Sequence, residues 1–442
     1  MNIEKFIDKI AANCKDRGLK KYQIVYTEKE RETLSVFEQK VLKNDSSNNL
    51  SLVLSVLVNG KLGKFSTEKF DESEINSYVK QAIMNAEIID NEDEVFFHDG
   101  SGDYVEVKPY KPLMEKLNKL DKVEFLKEME RKAYEADKRI NKVISLAYGY
   151  NRSITIMKNS LGLNLQKENI TANAYVYLSA TNGTSGKTGS DFTAFEKEED
   201  FNADKIVKKA VKKAVSRLGG VNVKSKKTRV VFNNETFGYL LDSISSIFSI
   251  YSIDKGYSKL QDKVGKKVAG RKLTILDNPH LKGGLATVSF DNEGYPTISK
   301  EVIKNGMLKT FLYNLSLAHK YGTKSTGNGA GGLHTRVFNF YVEKGYVTRK
   351  ELLKILGEGV YIDGLNGIHA GIDIVSGDFS LGAEGFLVEG GKIAKPLNQF
   401  TISGNVYELL NNVEEIANDL EFKGSNVGSP SVLVDNITIA SN

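Results

Sequence analysis

Two glycine-rich segments in the second half of the chain hold the residues with the clearest potential for chemistry. The first is YGTKSTGNGAGG at 321–332, and the second is GIDIVSGDFSLGAEGFLVEGGKI at 371–393. Glycine is favoured where the backbone takes a positive φ or approaches another backbone or a ligand closely. Exposed backbone N–H and C=O groups can also pair with an extended peptide. The pattern is equally consistent with tight β-turns and with a substrate-contacting role.

The histidines form no recognisable metal motif. A zinc site usually takes at least three protein ligands at close spacing, and no two histidines of this chain lie within ten residues of each other. His334 and His369 flank the two glycine-rich segments, so a metal held by this pair stays open as an alternative. The other histidines are His98, His280 and His319. The single cysteine, Cys14, excludes an internal disulfide and is predicted to be a core residue.

Other chemical motifs fail on their context. The segment 186–188, Gly-Lys-Thr, is like the end of a P-loop, but no amphipathic helix follows it, and we predict a polar hairpin loop. The glycines at 327, 329 and 332 satisfy G-x-G-x-x-G, but a helical pattern precedes them and a strand pattern follows, the inverse of a dinucleotide-binding unit. No spacing pairs the carboxylates of these segments for acid–base work. They include Asp291, Glu293, Asp373 and Asp378.

Composition limits the classes of protein that fit. The chain has 442 residues, which is long for one hydrophobic core, so two or three domains are expected. No apolar run approaches the ~20 residues needed to span a bilayer, and charged residues interrupt the first segment, which predicts a folded helix rather than a signal peptide. We therefore expect no membrane partner and a cytoplasmic location. The net charge of +5 predicts no nucleic-acid partner, and the lysine-rich segment 205–217 has the spacing of an amphipathic helix with a solvated face.

The elements that position these segments indicate an α+β protein. Residues 1–220 mix helices with antiparallel hairpins, with strand-like runs at 22–28, 32–37 and 50–58 and helices opening at Asp71 and Asp121 through capping boxes. An acidic stretch followed by glycines and prolines predicts a break near 90–115. Residues 221–442 form a second domain of mostly antiparallel strands with a few helices, one of which follows an apolar stripe from 237 to 251.

Several segments of this second domain, in order, resemble the TldD/TldE family, in which TldE is also called PmbA. The resemblance covers 228–442, and the ordered set is more specific than any of its pieces. In the first half it rests on the hairpin arrangement and on NSLG at 159–162. The similar segments are FDNEGYPT at 290–297, IKNGML at 303–308, STGNG at 325–329, SGDFS at 376–380, EGGKI at 389–393 and the closing strand 432–440.

The resemblance implies which branch of the family this is. In the family, the TldD subunit is a zinc peptidase whose HExxxH motif directly follows two apolar residues, with a cysteine near the C-terminus as a further ligand. Here Leu240 and Leu241 are followed by DSISSI at 242–247, and 422–430 contains no cysteine. The absence of the HExxxH motif and of this cysteine is the pattern of the TldE/PmbA branch. It implies no catalytic residue, no metal ligand and no cofactor in this chain, with zinc in a TldD-like partner.

The expected function is that of a non-catalytic subunit in a heterodimer, which shapes a chamber for unfolded peptides while the TldD-like partner supplies zinc and proteolysis. A homodimer is possible when the partner is absent. Two alternatives stay open: a self-sufficient metallopeptidase using His334 and His369, and a non-enzymatic regulatory binder, since some family members are labelled DNA gyrase modulators. The predicted substrate-binding residues are Ser325, Thr326, Gly327, Asn328, Ser376 and Gly377.

Overall fold

The computed structural model describes residues 2–89 and 94–441. The chain has the predicted α+β fold, with a helix and an antiparallel sheet first and a strand-rich second half containing a few helices. Residues 90–93 of the predicted break lie outside the described residues, and 94–113 form neither helix nor strand. No helix of the described part is both long and apolar enough to cross a membrane.

The first half is built on one six-stranded antiparallel sheet. Its strands are β1 (Lys21–Phe37), β2 (Lys40–Val58), β3 (Lys61–Thr67), β4 (Ile140–Asn159), β5 (Asn164–Thr181) and β6 (Gly186–Ala194). They lie in the order β3-β2-β1-β4-β5-β6. The runs predicted at 22–28 and 32–37 are one strand, because the charged residues between them stay paired with both neighbours. The predicted polar loop at 186–188 is wrong, since these residues open the edge strand β6, although no P-loop helix follows them.

Helices cover one face of this sheet. They are α1 (Ile3–Asp16), α2 (Ile75–Ile88), α3 (Met114–Lys119), α4 (Lys122–Ala136) and α5 (Ala203–Ser216). The Asp121 side chain accepts a hydrogen bond from Glu124 N and so caps α4, which is one of the two bonds of the predicted capping box. Asp71 instead caps a short 3₁₀ turn, 72–74, and α2 begins after it. Helices α1 and α2 pack with β1 and β2 in one core, whereas α4 and α5 pack with β4 and β5 in another.

The second half combines two larger sheets and a short hairpin around its own core. Its strands are β7 (Lys226–Phe232), β8 (Ile275–Asp277), β9 (Lys300–Lys304), β10 (Met307–Leu308), β11 (Gly329–Gly331), β12 (His334–Thr335), β13 (Phe340–Val342), β14 (Gly359–Asn366), β15 (Asp378–Glu389), β16 (Lys392–Pro396), β17 (Phe400–Asn405), β18 (Val413–Ile416), β19 (Val427–Gly428) and β20 (Val432–Ser441). One sheet runs β14-β7-β20-β17-β15-β16 with β18 beside β20, and the other runs β10-β9-β8-β13-β19. Strands β11 and β12 form the hairpin.

Five helices accompany these sheets. They are α6 (Asn234–Ile244), α7 (Ile250–Asp254), α8 (Leu315–Lys320), α9 (Arg349–Leu356) and α10 (Val406–Asn411). The apolar stripe from 237 to 251, predicted as one helix, is broken. Helix α6 ends at Ile244, a 3₁₀ turn covers 245–248, and Ser249 caps α7 by accepting a hydrogen bond from Tyr251 N. Serines favour caps and turns over helix interiors because their hydroxyls compete for backbone groups, which explains the break.

The two halves are joined by buried ion pairs. Arg217, the last basic residue of the lysine-rich segment, follows α5 and is 6% exposed, so the prediction of a solvated face is wrong for this residue. Its guanidinium lies 3.0 Å from the Asp363 carboxylate and 2.8 Å from Glu384. The rest of α5 is amphipathic as predicted, with an apolar face buried on the sheet.

Candidate functional site

The wall of the candidate site is the end of α6 and the 3₁₀ turn after it. Asn233 caps α6 by accepting a hydrogen bond from Thr236 N, and the helix buries Leu240, Leu241 and Ile244. The opposite side of the helix and turn therefore faces outward. It lines a cavity of about 560 Å³, which we call the serine cavity. Its polar lining includes Asp242, Ser245, Ser246, Ser249, Asn292, His334 and Arg336.

The side chains around the serine cavity do not fit a zinc site. The His334 ring lies against Tyr251, with centroids 4.6 Å apart. Burial raises the pKa of Asp242, and the nearby His369 opposes that rise. Across the described ranges, no three histidine, cysteine, aspartate or glutamate side chains gather in a way that could hold a metal. A serine hydroxyl is not among the usual zinc ligands, which are thiolate, imidazole and carboxylate.

The predicted residues 325–328 are engaged within the protein. Ser325 is 4% exposed; its hydroxyl donates to the carbonyl of Tyr313 and accepts from Gly327 N. The Thr326 hydroxyl accepts from Tyr313 N at 2.7 Å. Gly327 has φ +68°, and a Cβ there would lie 2.4 Å from the carbonyl oxygen of Pro296. This glycine is therefore required by close backbone packing.

Asn328 is the centre of a buried polar network. Its Nδ2 donates to Asp277 Oδ2 at 2.7 Å and to the carbonyl of Arg336 at 2.8 Å. Lys300 Nζ donates to Asp277 Oδ2 and to Asn328 Oδ1, each at 2.9 Å. Because Asp277 and Asn328 are both 0% exposed, these bonds satisfy groups that would otherwise be costly to bury. The network holds the β11–β12 hairpin, whose exposed end faces the serine cavity.

The other predicted pair, Ser376 and Gly377, has different partners. The Ser376 carbonyl accepts from Lys259 Nζ at 2.6 Å and from Asn405 Nδ2 at 2.9 Å. Gly377 has φ +80°, and a Cβ there would lie 2.6 Å from the Tyr407 ring. The two glycine-rich segments are thus anchored to separate neighbours. Substrate contact by the six predicted residues stays a prediction.

The turn 291–294, which we call the carboxylate turn, carries two carboxylates that the spacing did not pair. Asp291 is 0% exposed, and it accepts hydrogen bonds from the backbone N–H groups of Glu293, Tyr295 and Gly329. Glu293 Oε2 accepts from Leu315 N at 2.8 Å. Burial raises the pKa of both carboxyl groups, and the Asp291 charge adds to the rise at Glu293. The D-x-E spacing on a turn is the sequence signal that could have indicated this pair.

A second cavity, also of about 560 Å³, lies between the two halves of the chain; we call it the lysine cavity. It shares Asn292 and Arg336 with the serine cavity, so the two meet at these side chains. Lys167 of β5 projects into it. Burial, together with the nearby Arg336 charge, lowers the pKa of Lys167 to about 8. A larger cavity, of about 950 Å³ around Tyr341 and Tyr346, contains none of the predicted site residues.

Comparison with known proteins identifies the family. Residues 225–441 match the PmbA/TldA metallopeptidase C-terminal domain, and residues 114–218 match the central domain of the same family. The Metalloprotease PmbA homolog of Buchnera aphidicola from Acyrthosiphon pisum is 33% identical over 71% of this chain and 69% of its own length. The chain belongs to the PmbA/TldD metallopeptidase family. Metalloprotease PmbA of Escherichia coli O157:H7 is 32% identical over 72% of this chain and 69% of its own length.

Solved structures of the PmbA/TldD fold extend the likeness to nearly the whole chain. A Thermotoga maritima protein, whose name refers to modulation of a DNA gyrase, superposes with a TM-score of 0.92 and 30% identity, covering 99% of this chain and 100% of its own. TldE from Thermococcus kodakarensis has a TM-score of 0.86 and 25% identity, covering 98% and 99%. Membership of the family, predicted from the ordered segments, is confirmed.

Proposed function

We propose that this chain is a TldE/PmbA-like subunit of a zinc-dependent peptidase complex, which shapes the peptide chamber while a TldD-like partner supplies zinc and catalysis. The observation that carries the proposal is the serine cavity. It lies where the resemblance expects the HExxxH helix, yet its wall presents Asp242, Ser245 and Ser246. Without a metal to polarise a carbonyl and activate water, peptide hydrolysis lacks its main electrostatic contribution.

The cavity retains features suited to an extended peptide. The β11–β12 hairpin contributes Ala330, His334 and Thr335 to its lining. Gly331 and Gly332 have φ values of +111° and +61°, and a Cβ on either would meet no atom within 4 Å. The missing side chains leave room for a strand beside this hairpin, where main-chain pairing would be independent of the peptide sequence. The carbonyls of Ala330 and Gly332 already accept hydrogen bonds from the side chains of Asn292 and Asn314.

The test is to measure zinc in the untagged chain alone, in a TldD-like subunit alone, and in the mixture, together with cleavage of an unfolded peptide. We expect zinc to enter with the partner only, and activity to need both chains. Stoichiometric zinc in the isolated chain, lost on replacing His334 and His369 by alanine, would instead support the self-sufficient peptidase. Light scattering on the same samples separates a heterodimer from self-association of this chain.

The name of the Thermotoga maritima relative supports one further candidate, regulatory binding to DNA gyrase. This candidate requires a complex between the chain and gyrase in the absence of any TldD-like subunit. Co-purification from cells lacking that subunit tests it. We expect none, because the net charge of +5 does not indicate the strongly basic surface that a complex of gyrase with DNA would favour.

A further inference from the structure

The floor of the lysine cavity is the face of the N-terminal sheet that the helices leave uncovered. Successive side chains of a strand point to opposite faces. Ile24 and Tyr26 are therefore buried under helices, while Thr27, one strand position on, faces the cavity. Thr27 pairs with Thr155 of β4, which pairs with Lys167 of β5, so that these three side chains form one row across the sheet. Lys29 belongs to the next row and lines the cavity too.

The roof comes from the second half of the chain, through the loop 285–289 and the side chains of Asn292 and Arg336. Lys167 of the floor and Arg336 of the roof therefore face the same cavity from opposite sides, with Lys29 as a further cation of the floor. Lys167 Nζ lies 4.6 Å from the centre of the Phe290 ring, and the Arg336 guanidinium lies 5.3 Å from that of Phe338. These rings hold the cations in place through cation–π contacts. Asp291 acts electrostatically on both cations and Asp277 on Arg336, but neither carboxylate forms an ion pair with them among the described residues.

The acidic side chains near Lys167 already interact with other groups. Glu168 of the cavity pairs with Arg152 at 2.7 Å. The charge of Asp291 acts on Lys167, but the Asp291 oxygens already accept hydrogen bonds from three backbone N–H groups. Lys167 itself makes only long hydrogen bonds, of 3.4 Å, to the Phe290 carbonyl and Asn292 Oδ1. Within the described residues, neither Lys167 nor Arg336 forms an ion pair with a carboxylate.

We propose that Lys167 and Arg336 form a binding site for a carboxylate of the bound peptide, with Thr27 and Thr155 completing it from the sheet. This inference rests on the proposed function, because it takes the ligand to be a peptide. Lys167 is half-buried, and a partly desolvated cation without an ion-pair partner is stabilised when an anion joins it. Arg336 is exposed, and its planar guanidinium matches a carboxylate through two parallel hydrogen bonds.

The position of the site favours a peptide over a free inorganic anion. Because Asn292 and Arg336 line both cavities, the cavities are adjacent, and the end of a chain lying in the serine cavity comes close to the lysine cavity. The volume of about 560 Å³ accommodates more than a single ion and lies within the ~300–1,000 Å³ range of ligand pockets. A peptide C-terminus is ionised at neutral pH, and an acidic side chain offers the same chemistry.

The experiment titrates the full-length chain by calorimetry with an acetylated five-residue peptide of alanine, glycine and serine that ends in a free carboxylate or in an amide. We expect the carboxylate form to bind at least about tenfold more tightly, as one charge-assisted contact would provide. Lys167→Gln and Arg336→Gln should each bring the two affinities close together. Lys212→Gln, an exposed position of α5 that removes the same charge, is the matched control and should keep the preference.

Three results would overturn the site: equal binding of the two peptides, no binding of either, or a preference that survives both glutamine variants. Tighter binding of inorganic phosphate than of the peptide carboxylate would overturn it as well. An amidated peptide ending in aspartate distinguishes the source of the carboxylate, since equal binding means that a side chain serves as well as a terminus. Lys167→Arg, which keeps the charge, should keep the preference and guards against a folding defect in Lys167→Gln.

Activity of the complex with the TldD-like subunit separates the two proposals. If the complex is inactive but the isolated chain prefers the carboxylate peptide, the proposed function fails and the site stands. If the complex cleaves peptides with equal KM for free and amidated termini, and Lys167→Gln leaves KM unchanged, the site fails and the function stands. When both hold, Lys167→Gln raises KM for the free-carboxylate substrate with little change in kcat, as loss of uniform binding requires.

Discussion

The serine cavity and the lysine cavity have the same volume and share Asn292 and Arg336, yet they are built differently. The serine cavity takes its wall from one short stretch of chain, 242–252, and its lining lies entirely in the second half. The lysine cavity needs three strands of the first half and a loop of the second. The wall of the serine cavity, where the family's metal motif is expected, is therefore formed by residues close together in the sequence. The lysine cavity forms only when the two halves of the chain pack against each other.

The electrostatics of the two cavities differ in the same way. The serine cavity has serine hydroxyls and a carboxylate, Asp242, whose pKa is raised by partial burial. The lysine cavity sets Lys167 and Arg336 beside the buried carboxylate turn, and burial shifts the pKa of all four ionisable groups toward the neutral form. Substitutions around the lysine cavity should therefore change stability more than those in the serine cavity.

The largest effect is expected at Asp291, because its removal leaves three backbone N–H groups without acceptors. Asp291→Ala should lower the free energy of unfolding by about 4 kcal/mol, since each buried unsatisfied group costs roughly 1–3 kcal/mol. Urea denaturation followed by circular dichroism measures it. Asp291→Asn keeps one oxygen and should lose less. An alanine variant as stable as the wild type would contradict the role of the carboxylate turn.

A gain of about 2 kcal/mol at pH 8 is expected for Glu293→Gln, which keeps an acceptor for Leu315 N and removes a buried charge. Burial raises the pKa of Glu293 from 4.5 to about 8. The folded state therefore holds a proton that the unfolded state has lost, and wild-type stability falls as the pH rises through that interval. The glutamine variant should show a smaller fall between pH 5 and pH 8 in denaturation curves. Parallel curves for the two proteins would contradict the prediction.

Lys167→Met should raise the free energy of unfolding by about 1 kcal/mol at pH 7, because it removes a desolvated cation near Arg336. The folded pKa of about 8 is below the ordinary 10.5. The unfolded chain binds the proton more readily, so the penalty is present below pH 8 and disappears as the pH rises toward 10.5. The stabilisation of the variant should shrink over the same interval. A loss of stability at pH 7 would show that the charge has a partner.

The smallest effects belong to the serine cavity. Ser245→Ala and Ser246→Ala should each change the free energy of unfolding by less than about 0.5 kcal/mol, the usual range for surface substitutions. Zinc content should not change in either variant, since neither hydroxyl is a usual zinc ligand. Thermal unfolding and elemental analysis check both. A marked loss of stability in Ser246→Ala would mean that this wall has a structural role that its exposure does not indicate.

Local features of the fold were predictable where short-range physics decides them. The capping residue Asp121 begins its helix as the sequence pattern indicates, and the apolar spacing of 203–216 gives an amphipathic helix. The ordered motifs of the second half were enough to identify the family. The burial of Arg217 in ion pairs was not predictable, because its partners Asp363 and Glu384 lie in the other half of the chain.

The sequence by itself determined the α+β class, the main helices, the strand-rich second half and the family, since these depend on periodicity, caps and motif order within short windows. Only the tertiary structure decided that Ser325 and Asn328 are used internally. It also decided that Asp291 and Glu293 are buried together, and that Lys167 meets Arg336 across a cavity. The reason is physical: desolvation and charge proximity arise from packing between distant segments, and no local pattern encodes which of them will meet.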